Sequence, residues 1–152
     1  MNKGYLFALA LFGVFYMKRT NDLPRGIRNN NPLNIRKTSD NWQGATGDDG
    51  EFVIFESPVK GIRAASRILR NYSDNHGLNT VFGIIMRWAP PSENDSTGYI
   101  DSVSAKIGLG RNEVLRSYDY PDLIKAMIYH ENGQQPYSES VINSGFKEGF
   151  YT

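Results

Sequence analysis

The sequence predicts an α+β domain that is mostly helical and has a small antiparallel sheet. Several segments repeat apolar residues at steps of three and four and are bounded by capping residues, as amphipathic helices are. One short run, F-V-I-F at residues 52–55, has the aromatic and β-branched composition of a strand. The chain of 152 residues is long enough for one domain with its own core, which we assign to residues 29–152.

An apolar helix, transmembrane or interfacial, is predicted to precede this domain. Residues 5–17 are continuously apolar and are flanked by basic residues. As a helix they would reach about 20 Å, which is short of the ~30 Å hydrocarbon core unless Lys18 snorkels or the membrane thins. We predict a membrane anchor over residues 1–19 and a linker over 20–28. A signal peptide and a helix packed against a partner protein remain alternatives, although no small-x-small cleavage site follows.

The predicted domain begins with an asparagine-rich turn, R-N-N-N-P-L-N-I-R at residues 28–36. Asparagine side chains bond neighbouring backbone and tolerate positive φ, so these residues favour a turn before the proline. A short strand around 34–36 is expected next, then a loop over 40–50 and the strand at 52–55. These two short strands would form the small sheet.

Four helices are predicted after the sheet, in addition to a central one. Ser57, Thr80 and Ser138 stand where serine and threonine cap the first turn of a helix. Gly77 and Gly108 stand where glycine ends a helix in the left-handed conformation. Local sequence therefore predicts where most of the helices begin and end.

The central helix is predicted over residues 120–133, with a proline in its first turn and a glycine at its end. Ile124, Met127 and Ile128 form an apolar stripe, and the next position on that stripe is Glu131. Burial and the negative end of the helix dipole would both raise the pKa of this carboxyl, as a general acid near neutral pH requires. Two interpretations stay open: a general acid, or a glutamate at the rim of the apolar face that extends to water.

Composition excludes several classes of function. Seventeen basic and sixteen acidic residues nearly cancel, so no global field attracts nucleic acid. The chain has no cysteine, and its two histidines lack ligand-like spacing, so we expect neither metal nor cofactor. A local basic cluster lacks interleaved aromatic residues, so nucleic-acid binding is not expected there. The cluster comprises Arg25, Arg28, Arg36 and Lys37.

Two further carboxylates and several aromatic residues are candidates for a site. An inverting glycosidase needs a second carboxyl about 6.5–9.5 Å from its general acid. Glu93 and Asp95, in the loop after Trp88, could supply it if that loop faces Glu131; alternatively, Asp95 caps the following helix. The aromatic residues that could stack on sugar faces are Trp42, Trp88, Tyr99, Tyr129 and Tyr137.

A series of motifs in fixed order carries a family resemblance. The motifs are R-N-N-N-P-L-N-I-R at 28–36, W-Q-G at 42–44, F-V-I-F-E-S at 52–57, G-I-R-A at 61–64, R-W-A-P-P-S-E-N at 87–94 and H-E-N-G at 130–133. Together they resemble small phage-encoded proteins of the lysozyme superfamily, which are virion structural or peptidoglycan-degrading proteins. The resemblance extends over roughly residues 25–145 and implies a lysozyme-like domain.

A weaker likeness to bacterial glucosaminidases and lytic transglycosylases implies roles for single residues. The same pieces occur here with the glutamate helix last, which implies a circularly permuted domain. On this resemblance Glu131 is the general acid, and Asn31, Asn34 and Tyr99 position the substrate. Further substrate-binding candidates are Glu93, Asn132 and Tyr137. The chain departs from these families at Leu33, where glycine is frequent, and at Asn132, where serine is usual.

The function that the resemblance implies is cleavage of peptidoglycan glycan strands by a lytic transglycosylase or muramidase. Expected partners are peptidoglycan, a lipid membrane contacted through residues 5–17, and other virion proteins. The expected location is the virion membrane or the host inner membrane, facing the periplasm. The alternative is a structural virion membrane protein without activity on a lysozyme-like scaffold.

Overall fold

The computed structural model describes residues 22–152, which form an α+β fold dominated by helices. In chain order its elements are α1 (Arg25–Arg28), β1 (Ala45–Asp48), β2 (Val53–Phe55), α2 (Pro58–His76), α3 (Val81–Trp88), α4 (Ser96–Ile107), α5 (Tyr120–Asn132) and α6 (Glu139–Phe150). A 3₁₀ turn over Ser117–Asp119 leads directly into α5.

The predicted fold class needs a correction at its N-terminal element. None of the helices within residues 22–152 is long and apolar enough to cross a membrane. The membrane helix predicted over residues 5–17 lies outside the described residues. The fold class that the structure supports is α+β, mostly helical with a two-stranded sheet, and the membrane helix is withdrawn from it. Part of the predicted linker, moreover, is the short helix α1, whose Gly26 is buried.

The sheet consists of β1 and β2, paired antiparallel with an irregular register in β1. In β2, Val53 and Phe55 face the core, whereas every residue of β1 is exposed. The loop prediction over residues 40–50 is therefore wrong for β1, which pairs through its backbone without contributing an apolar side chain. The strand expected at 34–36 is reduced to a single bridge between Arg36 and Phe52.

The predicted helix boundaries are confirmed by capping contacts. Each cap side chain accepts a hydrogen bond from a backbone N–H in the first turn of its helix. The caps are Ser57 for α2, Thr80 for α3, Asp95 for α4 and Ser138 for α6. The left-handed glycines that end α2, α4 and α5 are Gly77, Gly108 and Gly133.

Helices α2 and α6 approach each other through glycine. A Cβ on Gly149 would lie 2.2 Å from the carbonyl oxygen of Arg63, and one on Gly145 would lie 2.7 Å from Ile62. Neither distance leaves room for a side chain, so the two glycines allow the helix backbones to pack closely. Phe146 and Phe150 of α6 then pack against Tyr120 at the start of α5.

The central helix α5 runs through the core, as predicted. Ile124, Met127 and Ile128 are fully buried, which confirms the apolar stripe. The same face carries the half-buried Glu131 at the C-terminal end of α5, where it contacts the asparagine-rich turn.

Candidate active site

The carboxylate of Glu131 contacts two residues that are distant in sequence. Its Oε1 accepts a hydrogen bond of 3.1 Å from the hydroxyl of Tyr99 on α4. Its Oε2 accepts one of 3.1 Å from Nδ2 of Asn34, in the turn between α1 and β1. The structure thus brings together three of the residues predicted to form a site.

Asn34 is held in place by the turn around it. Its φ of 52° lies in the left-handed region, which asparagine tolerates better than most residues. Asn31, which is fully buried, braces the turn: its Oδ1 accepts from the N–H of Ile35, and its Nδ2 donates to the carbonyls of Ile35 and Val53, all at 2.9 Å. Asn31 therefore has no surface that a substrate could reach, and its position corresponds to a structural role rather than the predicted substrate contact.

Burial and hydrogen bonding act on Glu131 in opposite directions. Removal of the carboxylate from water raises its pKa, while hydrogen bonds from Asn34, Tyr99 and Trp88 stabilise the charged form and lower it. Burial dominates, so the pKa of Glu131 lies above its usual value. This is the direction that a general acid requires.

Glu131 lines one cavity and contacts residues that line a second. The carboxylate lines a cavity of about 200 Å³ together with Asp95, Tyr99 and His130. A larger cleft of about 540 Å³ has Asn34 and Trp88 in its walls, whereas Glu131 is not among its lining residues. Because Asn34 and Trp88 also hydrogen-bond Glu131, they stand between its carboxylate and the larger cleft.

The larger cleft has aromatic walls. Trp42, Tyr72 and Trp88 line it, and the rings of Tyr72 and Trp88 meet edge to face with centroids 6.3 Å apart. Arg36 and Arg67 add positive charge at its rim. Tyr72 and Arg67 were not predicted as cleft residues, because nothing in the local sequence distinguishes them from the other residues of α2.

The two candidates for a second carboxylate have different positions. Glu93 is exposed and lies 3.9 Å from Arg36, lining neither cleft. Asp95 does line the smaller cavity with Glu131, but its carboxylate also accepts a hydrogen bond of 3.0 Å from the N–H of Gly98 as the cap of α4. Only Asp95 therefore shares a cavity with the proposed acid.

Asn132 is buried and Tyr137 is half-buried, and neither lines either cleft. The Nδ2 of Asn132 donates to the carbonyls of Pro32 at 2.7 Å and Ile128 at 2.9 Å, so it joins α5 to the asparagine-rich turn. The Tyr137 hydroxyl is buried without a hydrogen-bond partner among the described residues, and burial raises the pKa of Tyr137 to about 12. Both predicted substrate contacts thus occupy structural positions.

His130 also belongs to the site, although the sequence did not predict it. Its ring packs on that of Tyr99 with centroids 3.8 Å apart, and it lines the smaller cavity. Burial lowers its pKa, while the charge of Asp95 acts in the opposite direction. The available signal was its position next to Glu131 in the sequence.

Most of the basic cluster forms ion pairs with acidic residues of the hairpin, which consists of β1, β2 and the turn between them. Arg25 binds Asp49 through two hydrogen bonds of 2.6 and 2.9 Å, and it also contacts Glu51 at 2.7 Å. Arg36 pairs with Glu51, and Lys37 pairs with Asp48. Across residues 22–152, no three His, Asp or Glu side chains come together as a metal site would require.

The fold and the site together define a small, mostly helical α+β protein that holds one half-buried glutamate between a tyrosine and an asparagine beside a cavity. No protein-family model matches the sequence. The chain belongs to the family of Protein P5 of Pseudoalteromonas phage PM2, to which it is 45% identical over 159 aligned positions that include 99% of each chain. The predicted link to bacteriophages is thereby confirmed, while the name of this relative states no activity.

Proposed function

We propose that this protein cleaves the glycan strands of peptidoglycan, with Glu131 as the proton donor. The observation that carries the proposal is a glutamate that lines a cavity, contacts two residues of a neighbouring larger cleft and has its pKa raised by burial. The resemblance of the motifs to lysozyme-superfamily phage proteins supports the same reaction class. In this reaction the acid protonates the glycosidic oxygen while an oxocarbenium-like centre develops on the sugar.

The larger cleft is the proposed binding site for the glycan. Its volume of about 540 Å³ and its walls of Trp42, Tyr72 and Trp88 suit sugar rings, which stack on aromatic faces. Asn34 and Trp88 contact both this cleft and Glu131. A sugar bound against them would bring its glycosidic oxygen toward the carboxyl group.

The single well-placed carboxylate favours a lytic transglycosylase over a hydrolase. After protonating the leaving group, Glu131 would take the proton from the 6-hydroxyl of the same sugar and give a 1,6-anhydro product. A hydrolase would need Asp95 to activate a water, although this carboxylate also caps α4. Mass spectrometry of the products separates the two reactions, because the anhydro product is lighter by one water.

A peptidoglycan zymogram of the full chain tests the activity. We expect clearing by the wild type and by Glu93→Gln, and none by Glu131→Gln. Glu93 is the matched control because it is a glutamate outside both clefts. Clearing by a folded Glu131→Gln variant, or its absence from a folded wild type, would overturn the assignment.

A second candidate function is a structural component of the phage particle without activity. The observation that favours it is that both oxygens of Glu131 already accept hydrogen bonds from the protein. Glu131 would then tie together α4, α5 and the asparagine-rich turn. For this candidate we expect an antibody to detect the protein in purified phage particles. We also expect the wild-type protein to leave peptidoglycan intact. Both candidates assign the protein to the virion, the enzyme acting on the cell wall during entry.

A further inference from the structure

Two side-chain oxygens beside the site lack hydrogen-bond donors. Oδ1 of Asn34 and Oδ1 of Asn132 are both buried and accept no hydrogen bond from any described residue. They converge on the same place, since a Cβ built on Gly26 would lie 2.9 Å from the first and 2.8 Å from the second. A buried acceptor without a donor is costly, and two acceptors that border the same space cannot satisfy each other.

The amide of Asn132 cannot relieve this arrangement by turning over. Its Nδ2 donates to two carbonyls, those of Pro32 and Ile128. Turning over would place Oδ1 against both carbonyls, so the orientation of Asn132 is fixed. Its Oδ1 therefore stays directed at the space that it shares with Asn34.

The amide of Asn34 is free to turn over, since its side chain makes one hydrogen bond, from Nδ2 to Oε2 of Glu131. That bond needs a carboxylate oxygen that accepts. A protonated Glu131 carries an O–H, for which the fitting partner is an acceptor such as Oδ1 of Asn34.

We infer that the Asn34 amide turns over when Glu131 takes up a proton. Its Oδ1 then accepts from the carboxyl O–H of Glu131, and its Nδ2 faces Oδ1 of Asn132. Both orphaned oxygens gain a donor in that state. Asn34 is thus a positioning residue that hydrogen-bonds Glu131 in both protonation states. Asn132 stabilises the acid form by accepting a hydrogen bond from the turned Asn34 amide. A role of Asn34 in catalysis rests on the proposed function, whereas the amide rearrangement does not.

Other groups also face Glu131. The Tyr99 hydroxyl, which can both donate and accept, contacts Oε1 and not the Oε2 that Asn34 contacts, and the Trp88 indole, a donor only, stabilises the charged form. His130 and Asp95 line the smaller cavity. On the side of Asn34, Arg36 and Asp40 line the larger cleft, and Arg36 pairs with Glu51. A His130→Asn variant separates the titration of the imidazole from that of the carboxyl.

Nuclear magnetic resonance of the full chain, without substrate, tests the inference. We expect the side-chain amide resonances of Asn34 to shift with the same midpoint as the carboxyl carbon of Glu131, including in His130→Asn. Glu131→Gln, which cannot titrate, should leave the side-chain amide resonances of Asn34 unchanged over the pH range in which they shift in the wild type. Asn31 is the control amide, since its donors and acceptor are all used within the turn. An Asn34 amide that does not respond while Glu131 titrates would overturn the inference.

A peptidoglycan zymogram separates this inference from the proposed function. Peptidoglycan clearing with a static Asn34 amide would overturn this inference alone, and coupled titration without clearing would overturn only the proposed function.

Discussion

Tyr99 donates a hydrogen bond of 3.1 Å from its hydroxyl to Oε1 of Glu131, although only 1% of Tyr99 is exposed. The contact acts on both groups. Burial and the neighbouring carboxylate raise the pKa of Tyr99 well above its usual value, while the phenol lowers the pKa of Glu131 against the effect of burial. The proton affinity of Glu131 thus depends on its donors, and removing one should shift it in a known direction.

Tyr99→Phe removes one donor and keeps the ring that packs on His130. We expect the pKa of Glu131 to rise further, because the charged form loses a hydrogen bond while burial persists. The carbon resonance of the carboxyl should titrate at higher pH than in the wild type. If Glu131 is the general acid, the alkaline limb of the pH profile of kcat/KM moves to higher pH with it. The lost bond should cost about 1–3 kcal/mol of unfolding free energy at neutral pH.

Tyr137→Phe is the matched control for this prediction. The Tyr137 hydroxyl is also buried, but it has no hydrogen-bond partner among the described residues. Its removal should leave the titration of Glu131 unchanged and should not destabilise the fold. An equal shift of the Glu131 midpoint in both variants would show that the phenol contact does not set the pKa.

Glu131→Gln should stabilise the protein at neutral pH. The raised pKa means that the native state binds a proton more tightly than the unfolded chain does, so wild-type stability falls as pH rises from the usual value of 4.5 through the native pKa. Glutamine carries no charge and avoids this loss. Denaturation at several pH values should show the variant ahead at neutral pH and level with the wild type in acid. The prediction is contradicted if the variant has a lower unfolding free energy than the wild type at neutral pH but not in acid.

Gly26→Ala should destabilise the protein by crowding the side chains of Asn34 and Asn132. The new methyl group would lie 2.8 Å from Oδ1 of Asn132 and 2.9 Å from Oδ1 of Asn34. Overpacking of this kind typically costs about 1–3 kcal/mol, and a displaced Asn34 also weakens its bond to Glu131. Chemical denaturation measures the cost. Gly83→Ala in α3 is the control: the nearest atoms, which begin 3.2 Å away, include the flexible end of Leu78, so no comparable loss is expected.

Asp49→Asn should weaken the hairpin in a pH-dependent way. The Arg25 guanidinium, followed by the N–H of Phe52 and the amide of Asn29, holds the pKa of Asp49 far below its usual range. A lowered carboxyl pKa contributes stability above the unfolded value, and this stability is lost as pH falls. The variant should therefore be less stable than the wild type at neutral pH and converge with it in acid. Asp40→Asn, which removes an exposed carboxylate outside this ion-pair network, should have little effect. A deficit for Asp49→Asn that is the same at every pH would point to lost hydrogen bonds alone.

Local sequence predicted the helices well because their signals lie within a few residues. Ser57, Thr80 and Ser138 cap helices as expected, and Gly133 ends α5 with a φ of 68°. The sheet was predicted less well. The strand β1 was missed because its residues are exposed and have no apolar pattern, so only the pairing partner identifies it.

The sequence by itself determined that Glu131 continues an apolar stripe in the last turn of a helix, since periodicity and capping are local properties of the chain. Only the tertiary structure decided what that carboxylate contacts, because Asn34 lies 97 residues away and Tyr99 lies 32 residues away. It also decided that Asn31 braces a turn instead of facing a cleft, and that Arg25 pairs with the hairpin acids. Such roles depend on which distant segments pack together, and a side chain's type leaves that choice open.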